Sequence, residues 1–170
     1  VAEANTRAEL MGWSRFIGNQ LEYNLTERTP ERDLLPMSEE LGLGVVAWSP
    51  LAAGILTGKY NKDDGKGSGG RMEGTTSYRL NERNYNIAAK VVEVAKSLEV
   101  SPAQVALAWI SQQGHIPIIG ARTLEQLKDN LGSLDVTISA EQMKQLDEVS
   151  SIDLGFPHDF VTRPGAQKMI

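Results

Sequence analysis

With 170 residues, 41% hydrophobic and 23% charged, the chain has the ordinary composition of a globular protein, enough for one domain with a core and too apolar for disorder. A formal net charge of -5 argues against a face for nucleic acid or anionic lipid, and the absence of cysteine excludes disulfides, thiolate zinc sites and a cysteine nucleophile. His115 and His158 are too far apart to suggest a metal site, and no apolar run approaches the ~20 residues of a membrane span, so a cytoplasmic protein without membrane insertion is expected.

Val1, Ala4, Ala8 and Met11 fall on one helical face with no capping residue before them, so the chain is expected to begin inside a helix, as a cut or partial sequence does. Gly12 stops that helix, and Phe16 to Asn19 reads as an extended stretch leading into Gln20–Tyr23. Pro30 and Glu31 open a second helix through Leu34, Leu35, Met37 and Leu41, closed by Gly42 and Gly44. The apolar run Val45–Val46–Ala47–Trp48 predicts a parallel strand covered on both faces. Asn61 to Gly74, with its five glycines and no apolar periodicity, reads as a long loop of the kind that forms lids.

Helical spacing returns at Tyr85, with Ile87, Val91, Val94, Ala95 and Leu98 on one stripe. Ser101–Pro102–Ala103–Gln104 combines an N-cap, a proline at the first helical position and a capping-box glutamine for a buried helix through Trp109 and Ile110. Gly114 ends it, and Ile116–Pro117–Ile118–Ile119 predicts a third strand running into Gly120. Thr123 caps a helix carrying Leu124, Leu127 and Leu131, and Ser139 with Gln142 caps another carrying Met143 and Leu146. Alternating helices and strands mean an α/β fold with a parallel sheet and right-handed crossovers. The pattern leaves open whether the sheet is an open one or part of a barrel.

The residues with most chemical promise sit where strands give way to helices. Gly120–Ala121–Arg122–Thr123 places small residues, a helix N-terminus and a planar cation together, as phosphate recognition requires. Gln126 and Asn130 follow Arg122 on the same helical face, within reach of a nucleotide; an ordinary capped helix with a polar face accounts for the same residues. After the second strand, Ser49 to Gly54 is a run of small residues that admits a ligand close to the backbone, or else a tight turn. Lys59 is a phosphate partner or a solvated charge, and Tyr23 an aromatic platform or a core residue. His115 stands before the third strand, at the amino end, where barrel enzymes do not place their chemistry.

Taken together, Asn19–Gln20–Leu21–Glu22–Tyr23–Asn24–Leu25, Gly44 to Leu51 with Gly54 and Leu56–Thr57–Gly58–Lys59–Tyr60, and Gly120 to Thr123 with Gln126 and Asn130 resemble the aldo-keto reductases over nearly the whole chain. The resemblance is nearest to the branch of bacterial general reductases and potassium-channel β-subunits. It implies the carboxy-terminal portion, about strands six to eight, of a (β/α)₈ barrel, with residues 1–170 forming a single partial domain. It also implies NADPH as cofactor. Gln20 is then expected to hold the nicotinamide carboxamide, Tyr23 to stack on the ring, and Ser49, Leu51, Gly54 and Lys59 to line the pyrophosphate. Gly120, Ala121, Arg122, Gln126 and Asn130 are expected at the adenosine end, Arg122 selecting NADPH over NADH. The family's catalytic aspartate, tyrosine, lysine and histidine lie on its first four strands. The resemblance therefore predicts an oxidoreductase acting on aldehydes and ketones whose chemistry this chain cannot perform by itself, and which needs self-association or pairing with a missing half. The alternatives are a non-catalytic NADPH-sensing or protein-interaction module, which the likeness to channel β-subunits also allows, and an inactive truncated fragment.

Overall fold

A computed structural model describes residues 1–60 and 78–162. The loop expected at Asn61 to Gly74 and the last residues of the tail lie outside these. Three parallel strands, β1 (Gly18–Glu22), β2 (Gly44–Trp48) and β3 (Ile116–Pro117), lie side by side in chain order. The α/β alternation read from the chain is the observed one. Around the sheet run α1 (Ala2–Met11), α2 (Leu34–Glu40), α3 (Glu82–Leu98), α4 (Pro102–Gln112), α5 (Leu124–Leu131), α6 (Ala140–Ser150) and α7 (His158–Val161).

Helix boundaries follow from side-chain caps. Ser101 accepts the Gln104 amide at 3.1 Å while Gln104 accepts the Ser101 N–H, and Ser139 with Gln142 repeats the arrangement. Asn81 caps α3, which starts three residues before Tyr85, where helical spacing becomes legible. The helix expected from Pro30 is broken instead: a 3₁₀ turn covers Thr29–Arg32, and α2 begins anew after Asp33. Proline at position 36 explains the restart. In one continuous helix it would lack the N–H owed to the Arg32 carbonyl, whereas after the break it falls in the first turn, where no such bond is made.

Three further expectations are corrected. α1 buries Ala8 and Asn5, while Val1 and Met11 are exposed. Asn5 anchors the helix, donating to the Phe16 carbonyl at 3.1 Å and accepting the Phe16 N–H at 2.9 Å, so a polar side chain does what an apolar stripe was expected to do. Among the described residues, β2 is covered on one face only. Val45 and Ala47 are buried against the helices, whereas Trp48, and Ile116 and Ile118 beside it, are exposed on the other face, since helices pack on just one side of these strands. β3 is also shorter than expected. Pro117 has no N–H to give the ladder, and after Ile118 donates to the Ala47 carbonyl at 2.8 Å the chain turns away.

The core lies between the sheet and the helices behind it. Leu21, Val45 and Ala47 meet Ile87 and Val91 of α3, Val105 and Trp109 of α4, and Leu146 of α6. Trp109, fully buried, lies 5.3 Å from the Tyr23 ring and 5.3 Å beneath the Arg28 guanidinium. Arg28 in turn binds Glu31, Asp147 and the Ser150 hydroxyl, joining the 3₁₀ turn after β1 to α6.

Candidate functional site

Beyond the carboxyl ends of β2 and β3 the chain encloses a cleft of about 590 Å³. One wall is the segment leaving β2, with Ser49, Leu51, Gly54 and Lys59; the other is the turn from β3 into α5, with Gly120, Ala121, Arg122, Gln126 and Asn130. Nine of the eleven residues singled out from sequence thus line a single cavity, although some 60 residues of chain separate its walls. Thr57, Ala103 and Asp129 also line it and were not foreseen.

The first wall is a backbone held in a conformation that L-residues avoid. Ser49 (φ 56), Ala52 (φ 49) and Ala53 (φ 56) all lie in the left-handed region, followed by Gly54 at φ 94. Each non-glycine residue there costs about 1–2 kcal/mol, and such strain collects where a turn is shaped for a ligand. Buried Ala52, Ile55 and Leu56 and the Gly54 N–H to Leu51 carbonyl bond, 2.8 Å, hold the turn against that cost. The Lys59 chain crosses Gly54 so closely that a Cβ at Gly54 would meet its Cε and Nζ at 2.8 Å. Gly54→Ala is therefore expected to strain the turn and displace the ammonium, weakening anion binding roughly tenfold, as loss of one charge-assisted contact would. Isothermal titration with pyrophosphate checks this, and unchanged affinity would show that Lys59 does not act from this position.

The second wall is braced by its own polar side chains. The Gln126 carbonyl accepts the Arg122 N–H at 2.9 Å, the Thr123 hydroxyl accepts the Gln126 N–H at 3.2 Å, and Asn130, nearly buried, donates to the Gly120 carbonyl at 3.2 Å. At the start of α5 the exposed Glu125 carboxyl is held below its ordinary pKa by its own backbone N–H and by the Thr123 hydroxyl. Several N–H donors at this helix start are thus already engaged, so the wall's attraction for an anion rests mainly on the Arg122 side chain. Asp129 takes the Ser101 hydroxyl at 2.9 Å, and the Asp129 carbonyl takes the Gln104 amide at 3.0 Å, locking α5 to α4.

Gln20 and Tyr23 stand apart from the cleft. Gln20 is exposed on the open face of the sheet, opposite Val46 in register. Tyr23 is fully buried, with its hydroxyl donating to Glu31 at 2.7 Å and His115 edge-on to its ring at 5.4 Å. Burial raises the Tyr23 hydroxyl far above its ordinary pKa and lowers that of His115, keeping both neutral. The expectation that Tyr23 offers a stacking face is corrected: it shares the parity of buried Leu21 and so points to the helices. An accessible aromatic face on the open side of the sheet is that of Trp48, 42% exposed, which shares parity with Val46 and pairs in register with Glu22. Strand alternation in the sequence carried that signal, since Val45 and Ala47 as core residues put Trp48 on the opposite side. Glu22, beside Trp48 on the adjacent strand, forms a 2.7 Å ion pair with Arg79 in which both side chains are mostly buried. Among the described residues no group of acidic or histidine side chains is placed to hold a metal.

Comparison with known proteins supports what the geometry shows. The aldo/keto reductase family model matches residues 2–151. The chain is similar to the uncharacterized oxidoreductase YrpG of Bacillus subtilis, 35% identical over 88% of this chain and 45% of the relative. It is similar to the norsolorinic acid reductase stcV of Emericella nidulans, at 32% identity over 99% of this chain and 42% of the relative. A third similar protein is the aryl-alcohol dehydrogenase [NADP(+)] of Phanerodontia chrysosporium, 31% identical over 93% of this chain and 43% of the relative. The chain spans less than half the length of these relatives. With its parallel sheet, its strained turn after β2 and a family match covering most of its length, this chain belongs to the aldo/keto reductase family.

Proposed function

We propose that this chain forms the cofactor-binding part of an NADPH-dependent oxidoreductase that reduces aldehydes or ketones to alcohols. The observation that carries the proposal is the cleft itself, which brings Lys59 and Arg122, from segments far apart in sequence, to the walls of one cavity beside a left-handed turn. A dinucleotide diphosphate fits that turn, where small residues allow the backbone to approach an anion. Arg122 then takes the phosphate on the adenosine ribose, with a fork that suits a phosphomonoester. Along the open face, Gln20 meets the carboxamide, and Trp48 supplies the flat surface that buried Tyr23 does not. When bound, NADPH supplies a hydride for the carbonyl carbon.

In this reading the three strands are roughly the last three of a (β/α)₈ barrel, and residues 1–170 are one partial domain of it. The exposed face carrying Trp48, Ile116 and Ile118 becomes the barrel interior, covered by further strands or by self-association. The small-molecule carbonyl substrate is met by the completed barrel, in the cytoplasm, and the chain alone does not turn it over because the catalytic aspartate, tyrosine, lysine and histidine implied by the family resemblance belong to the barrel's first four strands. No helix among the described residues is long and apolar enough to cross a membrane.

Calorimetric titration of the purified chain with NADPH tests the reading, with carbonyl-dependent NADPH oxidation as a second measurement. Saturable binding without turnover is the expected result. Turnover by the chain alone would refute its inactivity, and a folded chain that binds no NADPH would remove the cofactor role from these residues acting alone.

A further inference from the structure

The strained turn after β2 is steered from outside by one buried amide. Asn24, two residues beyond β1, has no solvent exposure. Its Oδ1 accepts the Thr26 N–H at 2.8 Å, the Thr26 hydroxyl at 2.7 Å and the Glu27 N–H at 3.1 Å, which fixes the side chain in a local turn. Its backbone exchanges hydrogen bonds with Glu27 at 3.1 and 2.9 Å, so the whole residue is immobilised. The remaining end of the amide, Nδ2, reaches across to the next strand and donates to the Ser49 carbonyl at 3.0 Å.

Ser49 is the residue where β2 leaves extended geometry, with φ 56. Its carbonyl also accepts the Ala52 N–H at 2.9 Å, closing the turn that carries Ala52, Ala53 and Gly54 into the left-handed region. That oxygen is therefore engaged twice, once by the turn and once by Asn24. A peptide oxygen held from two directions cannot swing, so the orientation of the Ser49–Pro50 peptide and the direction of the turn after it are set together. Serine has no preference for this conformation, and Pro50 supplies no N–H that would hold it. The support comes from Asn24, in the segment that follows β1.

We infer that Asn24 is a positioning residue: by gripping the Ser49 carbonyl it holds the turn from Ser49 to Gly54 in the shape that receives the diphosphate of a dinucleotide. The inference rests on the dinucleotide reading for its ligand, while the grip itself is independent of any ligand. Asn24 does not line the cleft and acts only through Ser49.

Asn24→Asp separates the two halves of the amide. It keeps the acceptor that binds Thr26 and Glu27 and replaces the donor with an oxygen facing the Ser49 carbonyl. In the full chain, NADPH affinity is expected to fall about tenfold, the scale of one lost buried hydrogen bond. Ser49→Gly, which removes the cost of the left-handed conformation, is expected to recover about threefold when added to Asn24→Asp. Rescue of affinity and of Ala52 protection together, with no matching change in the urea midpoint of unfolding, is what separates positioning from mere stabilisation of the fold. Amide exchange supplies a readout that needs no cofactor: the Ala52 N–H is expected to exchange about tenfold faster in Asn24→Asp, while Val45 and Ala47 within β2 keep their protection. Asn24→Ala serves the same comparison if the aspartate variant does not fold. Unchanged Ala52 exchange would overturn the positioning role even if NADPH binds. Faster Ala52 exchange in a chain that binds no NADPH would uphold it and remove the dinucleotide as its purpose.

Discussion

Arg122→Ala is expected to lower NADPH affinity by about 2 kcal/mol, roughly thirtyfold, while leaving NADH affinity nearly unchanged, because a guanidinium–phosphate contact is a charge-assisted one. The selectivity of the loss is the informative part. At the start of α5 the Arg122 and Gln126 N–H groups are taken by the chain's own side chains, and Glu125 carries a carboxylate there. Backbone amides are therefore poorly available to a ribose phosphate, and the side chain of Arg122 is left as the main attraction on this wall. Arg122→Lys is expected to recover only part of the affinity, since a point charge replaces a planar fork. Equal losses for NADPH and NADH in paired titrations would mean that Arg122 shapes the turn and does not read the phosphate.

The second large effect concerns the core. Trp109→Ala is expected to cost about 4 kcal/mol, a substantial share of the roughly 5–15 kcal/mol that separates folded from unfolded domains. Trp109 is fully buried, packs on Tyr23, lies under Arg28 and donates its indole N–H to Asp147 at 3.1 Å. Removing it opens a cavity and strips one surface from the Arg28 network, whose guanidinium also holds Glu31 and Ser150. Trp109→Phe keeps most of the apolar surface and gives up the N–H, so about 1–2 kcal/mol is expected. Urea unfolding monitored by far-ultraviolet circular dichroism checks both values. A Trp109→Ala chain as stable as the parent would mean that the α4–α6 contact contributes little.

Helix ends were the most legible part of the fold. Ser101 with Gln104, Ser139 with Gln142, and Thr123 each stand where the chain pattern put a cap, because capping is a bond between residues three apart and needs no distant partner. The break at Asp33 is equally local: Pro36 belongs in a first helical turn, which a helix running on from Pro30 would not give it. Strand parity is local as well: buried Leu21 implies buried Tyr23, and buried Val45 and Ala47 imply exposed Trp48. The anchoring of α1 by Asn5 was not legible, since its partner Phe16 lies eleven residues away in an irregular segment.

The candidate site divides along the same line. Small residues, Lys59 and Arg122 identify segments able to meet a phosphate, and short-range spacing alone marks them. Their union in one cleft depends on β2 and β3 being neighbours in a parallel sheet, a relation between residues some 60 positions apart that only packing establishes. The same holds for direction. Residue types name Gln126 and Asn130 as ligand-binding candidates; the fold sets both along the cleft and also bonds each to the backbone of its own turn, and it reaches with Asn24, just beyond β1, to the strained Ser49. Hydrogen-bond capacity is a property of each residue, but the partner that satisfies it is chosen by which strands and helices lie beside one another.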